Sequence, residues 1–565
     1  MTGSESHTVS DARVKRIERV GLSVVMLALL LACGHAVRNE LVWDDLYVIQ
    51  QGDVIFHPEK LAEVFSHRTM FISSNDAALT NEGAQTYRPV TVATFFWDAW
   101  LSGRSPTAYH LTNLAAHLIT VLMVFTLSRA LLPARRRRYA LFAAAWFGLQ
   151  PQLAEAHVWI NGRSDVFSGL FALAAVLVWM RGMQTNVRGQ RIAFHALASI
   201  SFLLALLSKE PAIGVIAALL AWPHVEKTSL AKRLLSLAPF AVATLVYFVL
   251  RTHALNGLHV ASTSASLATA LLRAPALLAD GFVELTLPTR VYVRALGPDY
   301  DALGTSVLIG IGVITLLVLV SVAYFARRTP RVGAALAWFV FTLLPAAFVT
   351  TTLWPGFGRF LYLPAIGLAP LIAEGVAVLV EKLRARAERT ARLALICACS
   401  YLVFLGLRLH LYVYDWRNEA SLYQSWIAGA PDRPHGYGWL GYTYLERGDA
   451  PHAIPLLAEA ARRSPQDERF QLSLGTTYLS LGLREQALAT AREGLRVHAR
   501  RDGFYALLAQ ALFESDREGA ADALDRCLRE TQRSSACQRT AQELTRDDQF
   551  NTIWNTRRGL SFGAR

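Results

Sequence analysis

Long apolar runs, punctuated by clusters of arginine, leave this chain little choice of environment. A helix that crosses a bilayer needs about 20 predominantly apolar residues, and a shorter one suffices where protein covers it. Eleven such runs recur, centred near residues 28, 121, 145, 172, 200, 217, 243, 314, 341, 370 and 403. They predict an all-α fold, a polytopic bundle of membrane helices. The first run, from Gly21 to Val37, has a basic front at Lys15, Arg16 and Arg19 but no clear small-residue cleavage site. It therefore reads as a retained span and not as a removed signal.

The basic clusters set an orientation. Arg135 to Arg138, Arg181 to Arg191, Lys227 to Arg233, Arg327 to Arg331 and Lys382 to Arg392 fall in alternate loops, on the side of Lys15, Arg16 and Arg19. The positive-inside rule makes that side cytoplasmic and leaves residues 38–107, 152–164, 252–302 and the C-terminal region outside. The same arginines account for most of the net charge of +13, so nucleic acid is set aside as a partner. Of the cysteines, Cys33, Cys397 and Cys399 lie in apolar runs, none of the five has zinc-site spacing, and Cys527 and Cys537 could pair outside.

From Gly436 the pattern changes to amphipathic helices that recur at a fixed interval. Gly441, Gly475 and Ala509 are 34 apart, as are Tyr444, Tyr478 and Leu512, and Ala453, Ala487 and Ala521, while Pro465 closes the first repeat. This is the tetratricopeptide pattern, in which small residues let paired helices approach closely. It divides the chain into a membrane domain, residues 1–415, and a repeat domain, residues 416–565. Stacked repeats form a concave surface that commonly holds an extended peptide, so two to three of them predict a short partner-binding groove whose last repeat acts mainly as a cap.

Residues that carry chemistry gather at the expected outer ends of the spans. Trp43-Asp44-Asp45 follow the first span, and Tyr87-Arg88-Pro89 lead into an aromatic-rich interfacial helix from Thr91 to Trp100. Tyr109, His110 and Asn113 open the second span, with His117 one turn deeper. Glu155, His157, Gly162-Arg163-Ser164-Asp165, Ser208-Lys209-Glu210 and Gly358-Arg359 stand at the ends of later ones. Arg163 with Asp165, or Lys209 with Glu210, would alone be an ordinary ion pair. A charge at the bilayer centre costs about 2.5–3.5 kcal/mol on insertion scales, so ionisable groups near spans face a cavity or a partner. Their accumulation on one side predicts a pocket for an anionic substrate with at least one catalytic carboxylate.

Together with Tyr109-His110-Leu111-Thr112-Asn113 and Arg359-Phe360-Leu361-Tyr362-Leu363-Pro364, these motifs resemble the GT-C class of membrane glycosyltransferases. Within it, the chain is similar to the transmembrane and tetratricopeptide repeat-containing O-mannosyltransferases and their bacterial relatives, over nearly its whole length. The resemblance implies a polyprenyl-phosphate donor of mannose or another hexose, a protein Ser/Thr acceptor held by the repeat groove, and inverting transfer on the non-cytoplasmic face. It implies a multi-pass protein of a bacterial inner membrane, or of the endoplasmic reticulum in a eukaryote. It demands no cofactor and leaves a divalent cation open. Two departures stand out. Relatives often carry a His-Pro and a second histidine where this chain reads Gln150-Pro151-Gln152, and an acid where it has Gly358.

Transfer from a lipid phosphate releases a stable anion, so one carboxylate acting as base is enough. Asp44 is expected to take the hydroxyl proton, with Asp45 sharing the catalytic turn, orienting it or contacting the acceptor. Arg359, Lys209, Arg88 and Arg163 are expected to hold the donor phosphate, and Tyr87, His110, Asn113, Glu155, Asp165, Glu210 and Tyr362 to complete the pocket. Two other readings compete. A non-enzymatic membrane-anchored scaffold explains the repeats but not the acids and bases, and a lipid-linked sugar transporter predicts polar groups deep in the spans and on both faces.

Overall fold

The computed structural model describes residues 2–66, 86–220, 230–257, 267–288, 328–349, 358–498, 501–530 and 534–557, with Trp222 and scattered positions between 310 and 324. Regular structure among the described residues is helical throughout. The chain divides into two compact units, Met1–Asn418 and Glu419–Arg565.

Six helices of the first unit are long and apolar enough to cross a membrane: Arg16–Arg38, Pro106–Leu131, Ile160–Gln184, Arg188–Ser208, Gly358–Arg384 and Glu388–Asp415. They sit on six of the eleven expected centres. The centres near 217, 243 and 341 fall instead on shorter apolar helices, Glu210–Leu220, Ala238–Ala254 and Pro330–Leu343. The one near 145 falls on Ala140–Gly148, only nine residues long, and the one near 314 lies outside the continuously described residues. Apolarity alone does not separate a lipid-facing span from a short helix walled in by protein, and Ala140–Gly148 is buried along most of its length.

Large apolar side chains such as Leu31, Val403 and Leu407 stand more than 60% exposed on the long helices. Such rows are costly in water and are solvated by lipid tails in a bilayer, which makes this an integral membrane protein. The basic loop before Ala140 also does structural work. Arg136 bridges Glu374 at 3.0 Å and Glu381 at 2.6 Å, tying that loop to Gly358–Arg384. Helix Pro89–Ser102 has the expected interfacial layout, with Trp97 and Trp100 exposed side by side, ring centroids 5.2 Å apart, and Asp98 fully buried.

The second unit is a tetratricopeptide-type solenoid. After a leading helix, Glu419–Gly429, come Pro434–Glu446 with Ala450–Arg463, Glu468–Ser480 with Arg484–Val497, Asp502–Leu512 with Arg517–Glu530, and Ser535–Leu544 with Asp548–Arg557. Gly448 and Gly482, again 34 apart, sit in the turns inside the first two pairs at φ +74°, a left-handed conformation that favours glycine. Ala453, Ala487 and Ala521 are fully buried where paired helices cross. The fourth pair extends the array beyond the repeats that the sequence pattern marks. Its register residues, one period on from Ala509 (509 + 34 = 543) and Ala521 (521 + 34 = 555), are Glu543 and Asn555, so the small-residue signature is gone. A disulfide from Cys527 to Cys537, Cα atoms 5.9 Å apart, ties this pair to the third.

Candidate active site

The site is organised by a buried elbow between the second and third long helices. Helix Ala154–Val158 ends at Trp159, whose extended backbone leads into the 3-10 turn Ile160–Gly162. Asn113 of Pro106–Leu131 donates through Nδ2 to the carbonyls of Trp159, at 3.0 Å, and Ile160, at 3.3 Å. The same carbonyls accept from the Gly162 and Arg163 N–H groups of the turn, so Asn113 supplies each with a second donor. Asn113, expected in the pocket, thus holds its wall.

Two charged groups meet this elbow. The Glu155 carboxylate accepts from the Arg359 backbone N–H at 3.4 Å and lies 3.7 Å from Arg359 Nε. The Arg359 guanidinium also lies over the rings of Trp159, 4.8 Å, and Phe360, 5.4 Å, from their centroids. Burial pushes Glu155 up to about 7, opposed first by the charge of Arg359. Gly358, beside it, has no room for the acid that relatives often carry, because a Cβ there would lie 2.4 Å from the Gln152 carbonyl oxygen. Gln150, at the other departure, donates instead to the Leu285 carbonyl at 2.7 Å.

The two adjacent acids have different environments. Asp45 is fully buried, and its Oδ1 accepts from the backbone N–H and Nδ2 of Asn161, each at 3.0 Å, while Oδ2 accepts from the Val42 N–H at 3.4 Å. Burial raises its pKa against these donors, and the charge of Asp44 adds to the rise. Asp44 is half-buried and has no hydrogen-bond partner among the described residues. Its burial pushes it up to about 6, with the charge of Arg359 acting in the opposite direction. Asp45 is a fixture of the turn, and Asp44 is the carboxylate left available.

Lys209 Nζ contacts both Asp165 oxygens, at 2.6 and 2.5 Å, and lies 4.7 Å from the Phe360 ring centroid. A small cavity beside this pair is lined by Asp165, Ser168, Lys209, Pro211, Thr342, Ala346, Phe360 and Leu363, charged at one side and mostly apolar elsewhere. Next to it, Glu210 bridges Arg88, at 3.2 Å, and Arg251, at 3.3 Å. The acids and cations of separate helices therefore converge.

Arg163 does not join them as a phosphate ligand. Its guanidinium is fully buried, 2.5 Å from Asp98, donates to the Tyr109 carbonyl at 2.8 Å, and covers the Phe95 ring. The hydroxyl of Tyr87 donates to the Phe65 carbonyl at 2.7 Å, and His110 is buried in the helix opening at Pro106. Tyr362 meets His117 Nδ1 through its hydroxyl at 2.9 Å, and His117 stacks on His157 at 4.0 Å, forming a buried polar seam. Sequence reading missed Asp98, Trp159, Asn161 and Arg251. Asp98 alone carried a signal, as a single acid in an aromatic-rich interfacial helix.

Fold and site define an integral membrane protein with converging ion pairs at its helix ends, followed in the chain by a tetratricopeptide-type solenoid. The chain is similar to the protein O-mannosyl-transferase TMTC1 of Mus musculus, 31% identical over 216 residues that cover 35% of this chain and 22% of that protein. It is similar also to TMTC3 of Homo sapiens, 23% identical over 449 residues, 71% of this chain and 47% of that protein. The resemblance read from the motifs is borne out. The matched regions span less than half the length of these curated relatives. No family model matches the chain. A solved structure, the APC/C hetero-tetramer Cut9-Hcn1, overlays 80% of the chain at 14% identity with a TM-score of 0.21, too low to argue from.

Proposed function

We propose that this chain is an inverting GT-C glycosyltransferase that moves a hexose, with mannose first in line, from a polyprenyl phosphate to a protein Ser or Thr hydroxyl. Asp44 carries the reading, since it is a half-buried carboxylate with no described hydrogen-bond partner, faced by the charge of Arg359. Asp44 takes the hydroxyl proton as the oxygen bonds to the anomeric carbon. The bond from that carbon to the phosphate oxygen breaks on the opposite face, and its electron pair leaves with the phosphate. Arg359 and Lys209, with Arg88 nearby, hold the charge that remains on the lipid phosphate. The cavity beside Lys209 has Pro211, Thr342, Ala346 and Leu363 along it but is only about the size of one water molecule, so a lipid phosphate enters there only if these helices part.

The acceptor protein binds in the solenoid groove, on the non-cytoplasmic side. The buried Cys527–Cys537 disulfide supports that side, because such bonds persist in oxidising compartments. The test uses the full chain in lipid nanodiscs with polyprenyl-phosphate mannose and a Ser/Thr-rich peptide. Hexosyl peptide with the anomeric configuration opposite to the donor's supports the reading. No transfer from polyprenyl-phosphate mannose, glucose or galactose contradicts it.

A further inference from the structure

Three observations meet on the elbow. The first is Trp43, whose φ of +53° is uncommon for a bulky residue and persists only where surroundings fix it. Its ring stacks on Trp159 with centroids 4.7 Å apart and planes at 23°, and Trp159 in turn stacks on Trp416 at 6.2 Å. The second is that the same Trp159 ring carries the Arg359 guanidinium at 4.8 Å. The third lies two residues on, where Asn161 gives Asp45 both of its donors to Oδ1. Asp44 therefore stands between two pinned neighbours while its own carboxylate is left without a described hydrogen bond. A base needs this combination, a fixed backbone and an available carboxylate.

We infer that Trp159 and Asn161 are positioning residues that hold Asp44 in register with Arg359, one indole supporting both the turn that bears the base and the cation that faces it. The inference rests on the glycosyl-transfer reading for its catalytic consequence but not for its geometry. Neither residue touches the reacting atoms. Asn113, which donates to the Trp159 and Ile160 carbonyls, holds the elbow from behind. The charged groups that act on the turn are Asp45 within it, Arg359 facing Asp44, and Arg163 acting on Asp45.

The experiment compares Asn161→Ala, Trp159→Leu and Trp159→Phe in the full chain in nanodiscs, with melting temperature as the check on folding. One readout is transfer from polyprenyl-phosphate mannose to a Ser/Thr peptide. The other is carbodiimide labelling of Asp44 across pH, read by mass spectrometry, which needs no activity. Misplacement of a reacting group by about 1 Å costs on the order of 100-fold in rate. Asn161→Ala is expected to lower kcat by about 10–100-fold with donor KM unchanged. Trp159→Leu should lower kcat and also raise donor KM, since Arg359 loses its platform, and Trp159→Phe should recover most of both. In Asn161→Ala the labelling midpoint moves from about 6 toward the ordinary aspartate value of about 4, and in Trp159→Leu it moves upward, because the Arg359 charge that lowers it is displaced. A folded Asn161→Ala protein with parental kcat and an unmoved midpoint overturns the inference, and it decides alone if Trp159→Leu fails to fold. A Phe variant as impaired as the Leu variant also overturns the role of the ring. If the parent transfers no sugar but the midpoint shifts, the positioning stands and the proposed reaction falls.

Discussion

Arg359 meets Glu155 without being fully taken up by it: Nε is 3.7 Å from the carboxylate and has no described hydrogen-bond partner, although the Glu155 side chain is only 2% exposed. Arg163 is the contrast. It follows a glycine at a helix start just as Arg359 does, yet it is fully buried and bonded to Asp98, Thr94 and Tyr109. Both arginines leave Nε without a described hydrogen-bond partner, but the terminal nitrogens of Arg163 are bonded and those of Arg359 have no described partner.

Arg359→Lys keeps the charge beside Glu155 but loses the planar group that lies over Trp159, and the two side chains are not interchangeable at a stacked site. Donor KM should rise about tenfold, the loss of roughly one charged hydrogen bond, while the melting temperature holds. Arg359→Ala should destabilise the protein by about 3–5 kcal/mol because Glu155 is left buried and unpaired. Adding Glu155→Gln should restore melting but not donor affinity. Parental donor affinity in Arg359→Lys and in the double variant would remove Arg359 from the donor site.

Lys209 has the same test in different form. Replacing it by methionine strands Asp165, so the informative protein is Lys209→Met with Asp165→Asn, in which neither partner is charged. It should fold and bind polyprenyl-phosphate mannose about 10–100-fold more weakly, as expected when a charge-assisted contact is lost. Unchanged binding by titration calorimetry would confine Lys209 to a structural role.

The pH profile has a worked sign. Asp44 must be ionised to accept a proton and is pushed up to about 6, so kcat should fall about tenfold per pH unit below 6. Glu155, pushed up to about 7, gains its charge as pH rises through 7 and then competes with the donor phosphate for Arg359. Donor KM should therefore rise above pH 7, and Glu155→Gln should abolish that rise without moving the acid limb. Steady-state kinetics from pH 5 to 8.5 separates the two. A flat kcat across pH 5 to 7 would speak against Asp44.

Cys527 and Cys537 provide a test of sidedness. In protein purified without reductant, maleimide should label neither until dithiothreitol is added, because the pair is oxidised and both residues are buried. Immediate labelling of both in unfolded, unreduced protein would place the solenoid in a reducing compartment and break the proposed topology.

Apolar runs and the 34-residue period were legible because each rests on a local rule, hydropathy for a span and small residues for a helix crossing. Both rules fail at predictable places. Ala140–Gly148 is apolar because protein surrounds it, and the fourth helix pair hides because Glu543 and Asn555 interrupt the pattern. The site was legible as a set of charges, not as an arrangement. Gly162-Arg163 and Gly358-Arg359 look alike in the sequence, and Asp98, 65 residues from Arg163, separates their fates. Trp159 and Asn161 act through Trp43 and Asp45, more than a hundred residues away, which no local pattern encodes.

The adjacent acids give the most direct measurement. Asparagine keeps the size of aspartate and an acceptor oxygen but cannot take the proton. Asp44→Asn should fold, bind donor and lose about 10²–10⁴-fold in transfer rate, the usual range for a missing general base. Asp45→Asn can still accept from Asn161 and should lose no more than about tenfold, the scale of one weakened hydrogen bond. The assay is hexose transfer from polyprenyl-phosphate mannose to a Ser/Thr peptide, both variants side by side in nanodiscs. A large loss confined to Asp44→Asn is the predicted result, and near-parental turnover in Asp44→Asn would contradict its role as the base.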